Sequence, residues 1–335
     1  MSNFVFITGA GRCGTNLMLS LLDGNKKINI FPGEVTNLIF RSLNNDSVNG
    51  KVYRENLVIF FQIVFKELKI NNFPNYSKKI KIIKKLIKKK FKKKKHLDIK
   101  TLLNLVIRNL FDKKNKTILN LQDENILKLL EIFPKCKVVH MIRNPLSQIN
   151  SRYLFRYKSP NNFDGSEFGK SFYRNYNSFK NAHLLYKDKR VLTIKIEDLT
   201  QKKNLEIKRV FKFLKIKPSK INFSPTLYGK NLNKNYNFNV SSKITKISED
   251  YSCLTENDQY VVSQIKYANN FYKIQKKNKK KNNFLVFFLR HIGLIGKKRL
   301  KTINLFKILK LSIFSIYLYF LDNYYKQKFL KYENI

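Results

Sequence analysis

Near the start of the chain, Gly9-Ala10-Gly11-Arg12-Cys13-Gly14-Thr15-Asn16 brings glycine, arginine, a hydroxyl and a carboxamide into one short segment. The spacing, G-x4-G followed by Thr, is the frame of a phosphate-cradling loop, but no Lys follows the second glycine. In such a turn successive backbone N–H groups point inward, and the helix that follows adds its positive end, so an anion is held there. Arg12 can fork onto a phosphate or sulfate with two parallel hydrogen bonds, which Lys cannot do. The glycines alone are equally what a tightly packed strand-to-helix turn would show. Arg12, Thr15 and Asn16 tilt the reading toward anion binding. The missing lysine is the group that reaches the β- and γ-phosphates of a nucleoside triphosphate. Its absence favours an anion on the 5′ side of a mononucleotide over ATP.

A strand and a helix must hold this loop. Phe4-Val5-Phe6-Ile7 is a short apolar run suited to a buried parallel strand. From Thr15 to Leu22, Leu17, Met18, Leu21 and Leu22 share one helical side, and Gly24 stands where the helix would stop. Lys137 to Ile142 reads as a second strand, followed by Asn144 as a cap and Pro145 in a first helical turn. Arg190 to Ile196 reads as a third, leading into a helix with Ile207, Val210, Phe211 and Leu214 at helical spacing. Strands alternating with helices predict an α/β, three-layer P-loop-like fold around a central, mainly parallel sheet. The main domain is expected over residues 1–272, with a Lys-rich helical insert at about 66–116. A basic, aromatic, amphipathic helical tail is expected over 273–335.

The segment FVFITGAGRCGTNLMLSLLDGNKKINIFPGE resembles the start of the sulfotransferase superfamily, whose 5′-phosphosulfate loop reads R-S-G-T-(T/S)-L. In register it is similar to bacterial glycan and tyrosylprotein sulfotransferases. Cys13 replaces the usual Ser and Asn16 the usual second Thr; Cys13 can still offer its backbone N–H, and Asn16 a side-chain donor. FPKCKVVHMIRNP, at Phe133 to Pro145, resembles the family's second signature, and Ser151 stands eight residues after Arg143. RVLTIKIEDL and the segment Pro225 to Asn231 resemble two later family segments.

The resemblance implies a transfer of a sulfuryl group from 3′-phosphoadenylyl sulfate (PAPS) to an acceptor hydroxyl, with no metal. Gly11, Arg12, Cys13, Gly14, Thr15 and Asn16 would hold the 5′-phosphosulfate. Arg143 and Ser151 would grip the 3′-phosphate, and Lys230 would reach it. Arg12 would stabilise the departing phosphate. Glu34, in FPGEVT, matches the family's general base; read without the register it is a surface Glu in a Pro-Gly turn. Relatives often carry K-(D/T)-P before the second signature. Here Leu119 to Asn125 has no Lys in that place, leaving its role absent, moved or taken by Gln122. His140, inside an apolar strand, reads as a core histidine.

The formal charge of +46 suits anionic partners, yet the Lys-, Asn-, Ile- and Phe-rich composition is also what AT-rich coding produces. A saccharide acceptor, glycan or glycolipid, is expected, with a tyrosine hydroxyl the alternative that the similarity around Glu34 leaves open; nucleic acid is not expected. Lys78 to Lys95 contains twelve Lys, with Ile80, Ile83, Ile87 and Phe91 on one helical side. That pattern is a solvated surface helix or a peripheral membrane contact. The uninterrupted apolar part of Ile303 to Leu321 is eleven residues, against the roughly 20 a membrane span needs. With no secretory leader and three scattered cysteines, a cytoplasmic protein is expected. Two other readings compete. One is a P-loop nucleotide kinase or other phosphotransferase, which needs the absent lysine. The other is a non-catalytic basic protein that binds membrane or nucleic acid through its Lys-rich segments.

Overall fold

In a computed structural model, the described residues are 4–36, 39, 51–53, 57–70, 73–92, 94–111, 115–121, 125–157, 167–219, 224–227, 230–231, 251, 254 and 256–274. The tail beyond residue 274, including Ile303 to Leu321, lies outside them, as does Gln122. Two compact units divide them, one from residues 4–142 and 184–231, the other from residues 143–183 and 251–274.

The first unit is built on five parallel strands: β1 (Phe4–Thr8), β2 (Ile28–Glu34), β5 (Lys116–Leu121), β6 (Lys137–Ile142) and β7 (Val191–Lys195). Their order is β2-β5-β1-β6-β7, so β1 is central; the chain first crosses from β1 to β2 on one side and later from β5 to β6 on the other. Alternate side chains of a strand leave on opposite faces. Phe4 and Phe6 therefore join one core with Leu119, Leu121, Val138 and Phe133. Val5 and Ile7 join another with Ile118, Val139, Met141 and Ile194. The second core is closed by α1 (Thr15–Leu22) through Met18, Leu21 and Leu22, and by α9 (Lys203–Leu214) through Ile207, Val210, Phe211 and Leu214. This gives the three layers, with α8 (Ile196–Gln201) joining β7 to α9.

The first core is closed by α5 (Ile126–Ile132) and by three helices between β2 and β5: α2 (Leu57–Ile70), α3 (Tyr76–Phe91) and α4 (Ile99–Leu110). Strands β3 (Lys51–Tyr53) and β4 (His96–Asp98) pair antiparallel beside them. Ile80, Ile83, Ile87 and Phe91 of the Lys-rich α3 are all buried in the same core as Phe4, Phe6 and Phe31 of the sheet. The apolar side of this basic helix is thus spent on the domain itself. Some of its lysines are structural too: Lys79 Nζ donates to the Leu110 carbonyl at the end of α4, and Lys84 lies over the Phe65 ring.

In the second unit, α6 (Pro145–Tyr157) starts where Asn144 Oδ1 accepts the Leu146 N–H at 3.0 Å, a side-chain cap on a Pro-led first turn. Helix α7 (Glu167–Leu184) meets α6 through a buried Asn175–Gln148 hydrogen bond. It meets a 3-10 turn (Lys266–Asn270) through Tyr176 against Tyr267, and Phe179 packs on Phe271 and Tyr272. Helix α10 (Glu256–Ser263) completes it.

Candidate active site

Between β1 and α1 the chain turns through Gly9 to Gly14. Arg12 and Gly14 take the left-handed backbone conformation, with φ of 73° and 84°. A Cβ on Gly9 would lie 2.5 Å from the Met141 carbonyl oxygen, and one on Gly14 2.2 Å from Ile196 Cδ1. Gly9 is therefore demanded by close approach to a backbone carbonyl and Gly14 by its positive φ, and the anion reading rests on what the turn presents. Arg12 is exposed at its crest, while Gly11, Cys13 and Thr15 are buried. The Cys13 N–H donates to the Ala10 carbonyl at 3.2 Å, so this amide closes the turn. The first intrahelical bond runs from the Met18 N–H to the Gly14 carbonyl. The amides of Thr15, Asn16 and Leu17 consequently have no acceptor within α1, and the positive end of the helix lies at the strand ends. This is the switch point of the sheet, where open α/β folds bind ligands.

Glu34 reaches the same edge by an irregularity. Ile30 pairs with Ile118 but Glu34 pairs with Asn120, so β2 carries two extra residues, Pro32 and Gly33 among them. Gly33 has φ 86°. Such a bulge re-aims the residue that follows it. Asn120 stands between Glu34 of β2 and Ile7 of β1 in the sheet, its carbonyl accepts the Val35 N–H at 2.8 Å, and its side-chain NH2 donates to Asn16 Oδ1 at 2.6 Å. The loop helix and the candidate base are thus tied to one buried asparagine.

Arg143 and Ser151 belong to the second unit, both half-buried, one at the exit of β6 and the other on α6. Lys230 lies in a short antiparallel pair, β8 (Thr226–Leu227) with β9 (Lys230–Asn231). That pair is pinned to the C-terminal end of α1 by the Thr226 hydroxyl, which donates to Asp23 at 2.9 Å. This is the opposite end of α1 from the anion loop. His140 is buried and shares a 2.9 Å hydrogen bond with Thr8, which fits a core histidine.

The sulfotransferase family profile matches residues 5–219, spanning the loop, Glu34, the second signature and the α8–α9 segment. The chain belongs to the sulfotransferase family. The sulfotransferase domain of the Synechococcus PCC 7002 olefin synthase shares its fold, with a TM-score of 0.54 and 17% identity, over 81% of this chain and 95% of that one. The sulfotransferase domain from the curacin biosynthetic pathway gives a TM-score of 0.53 and 17% identity, over 82% and 99%. No curated protein sequence matches.

Two residues of this sulfotransferase that bond to the candidate residues Asn16 and Glu34 escaped sequence reasoning. Asn120 sits in an apolar strand, and nothing in its spacing links it to Asn16. Glu67 lies on α2, in the segment read as an insert, and its carboxylate accepts the Glu34 N–H at 3.2 Å. Burial raises the Glu67 carboxyl above its ordinary range; the Glu34 carboxylate adds to the rise, while the Glu34 amide and Lys66 oppose it. A raised acid contributes stability that is fully present below its unfolded pKa and is lost as pH rises through its folded value. Glu67→Gln keeps an oxygen for the Glu34 N–H and never ionises. Urea midpoints of parent and variant are expected to converge in acid and to separate at neutral pH, with the variant the more stable.

Proposed function

We propose that this sulfotransferase uses PAPS as its donor and delivers the sulfuryl group to a hydroxyl of a glycan or glycolipid. The observation that carries this reading is the meeting, through Asn120, of a lysine-free anion turn with a re-aimed carboxylate. Arg12 and the first-turn amides of α1 would take the 5′-phosphosulfate; Arg143 and Ser151 would take the 3′-phosphate. Fixed donors aimed at the anion suit an in-line displacement whose charge spreads over the equatorial oxygens. In that step the acceptor oxygen bonds to sulfur, its proton passes to Glu34, and the bond from sulfur to the phosphate oxygen breaks. The departing 3′-phosphoadenosine 5′-phosphate (PAP) is left on Arg12.

The outer face of α3 supports an acceptor held at an anionic surface. Around Ile82 and Leu86, which are 46% and 37% exposed and one turn apart, stand the exposed Lys78, Lys81, Lys85 and Lys89. Basic side chains around exposed apolar ones suit peripheral contact with anionic lipid. Among the described residues no helix is long and apolar enough to cross a membrane. A cytoplasmic enzyme working at the membrane face is the corresponding location.

Radiolabelled PAPS offered with a polysaccharide pool, a glycolipid extract in anionic vesicles and a tyrosine peptide tests the reading. Label is expected in a saccharide fraction. Label in the peptide would overturn the acceptor class, and no PAP formed with any acceptor would overturn the donor.

A further inference from the structure

The geometry points to Asn120 as a positioning residue for the donor's 5′ anion: it holds the Asn16 carboxamide by its oxygen, leaving the Asn16 NH2 arm for the bound phosphosulfate. This rests on the reading of the turn as the PAPS loop and adds to it a residue from another strand.

Four observations carry it. Asn120 is 1% exposed, on β5 beside Ile118, Leu119 and Leu121, where a polar side chain is costly unless it is hydrogen-bonded. Its side-chain NH2 donates to Asn16 Oδ1 at 2.6 Å, across 104 residues of chain. Its own side-chain oxygen is buried with no hydrogen-bond partner among the described residues, so Asn16 is the link that carboxamide makes there. Its backbone is fixed by pairing with Ile7 and Glu34 and by the Val35 N–H, so the side chain starts from a rigid base.

A carboxamide has one acceptor end and one donor end. When Asn120 occupies the oxygen of Asn16, the other arm is a donor, the polarity an anion requires. Asn16 is the second residue of α1, among amides without helical acceptors, so its NH2 adds a side-chain donor to a site already built from backbone N–H groups. The donor is thereby supplied without a charge.

Calorimetry with PAP, and with adenosine 3′-monophosphate, which lacks the 5′ anion, tests it on the full chain. Asn16→Ala is expected to weaken PAP binding about tenfold, and Asn120→Ala by a similar factor. The double variant is expected to bind no more weakly than Asn16→Ala alone, because Asn120 acts through Asn16. Affinity for adenosine 3′-monophosphate is expected to stay unchanged in all three. If Asn120→Ala does not fold, the isosteric Asn120→Asp replaces it. Its carboxylate can only accept, turns the Asn16 NH2 inward, and is expected to cost more PAP affinity than Asn16→Ala.

Losses that multiply in the double variant, equal losses for both ligands, or an Asn120 variant that binds PAP like the parent would each overturn the inference. Arg12→Ala separates this from the underlying reading. If the parent fails to bind PAP, or Arg12→Ala binds it equally well, the loop assignment and the inference fall together. If Arg12→Ala loses PAP while the Asn120 variants keep it, the inference alone falls.

Discussion

Glu34→Gln is expected to lower the rate of sulfuryl transfer by about 10²- to 10⁴-fold while leaving PAP affinity unchanged. The substitution keeps the size of the side chain, and the backbone N–H bonded to Glu67 is untouched. What it removes is the group able to take a proton from the acceptor hydroxyl. The register makes this a local change, because the two-residue irregularity in β2 places Glu34 against Asn120 at the end of the sheet. Single-turnover transfer of radiolabel from PAPS, with PAP titrated by calorimetry on the same preparations, checks it. Transfer at the parent rate would show that Glu34 is the surface residue of a Pro-Gly turn.

Arg12→Ala is expected to weaken PAP binding by about ten- to a hundredfold, the worth of a charge-assisted hydrogen bond to a phosphate. Arg143→Ala is expected to do the same from the other end of the ligand. The two are told apart by shortened ligands. Arg12→Ala should leave adenosine 3′-monophosphate unaffected, and Arg143→Ala should leave adenosine 5′-monophosphate unaffected. Arg12 is exposed and in the left-handed conformation, so alanine there removes the guanidinium without opening a cavity. Loss of stability therefore does not explain lost binding, and thermal melts of both variants provide the control. An Arg12→Ala chain that holds PAP as tightly as the parent would remove Arg12 from the 5′ site and overturn the reading of this turn as the PAPS loop.

A lysine-free loop makes these tests sharper than they would be in a nucleotide-triphosphate site. With one exposed guanidinium on the crest of the turn, the proposed site would hold the 5′ anion by Arg12, the first-turn amides and the Asn16 side chain. The charge of +46 adds a background attraction for every anion, which salt screens. Binding measured across a range of ionic strength separates that background from the loop, because direct donors at short range are screened far less.

Much of the first unit could be read from local pattern. FVFIT, KVVHMI and VLTIK are runs in which every second residue feeds one of two cores, and each became a parallel strand. The glycine spacing and Arg12 marked the turn, and Asn144 with Pro145 marked the start of α6, because caps and turns are written in adjacent residues. The insert was legible as a helix but not as part of the core. Periodicity shows that Ile80, Ile83, Ile87 and Phe91 share a side; it does not say that α2 and α4 pack beside it within the same core as the sheet.

The anion loop shows the division most clearly. By itself the sequence determined that a glycine turn with an arginine and no lysine follows the first strand, and that a carboxylate comes soon after. Only the tertiary structure decided that the Met141 carbonyl excludes a side chain from Gly9 and that Gly14 takes the left-handed conformation. It also tied Asn16 to Asn120 and Glu34 to Glu67. Those partners are contributed by strands and helices distant in the chain and carry no local spacing to betray them. The Asn16–Asn120 bond depends on which strand lies beside β1, which residues near neither partner set, whereas the bulge at Pro32 and Gly33 is local to Glu34.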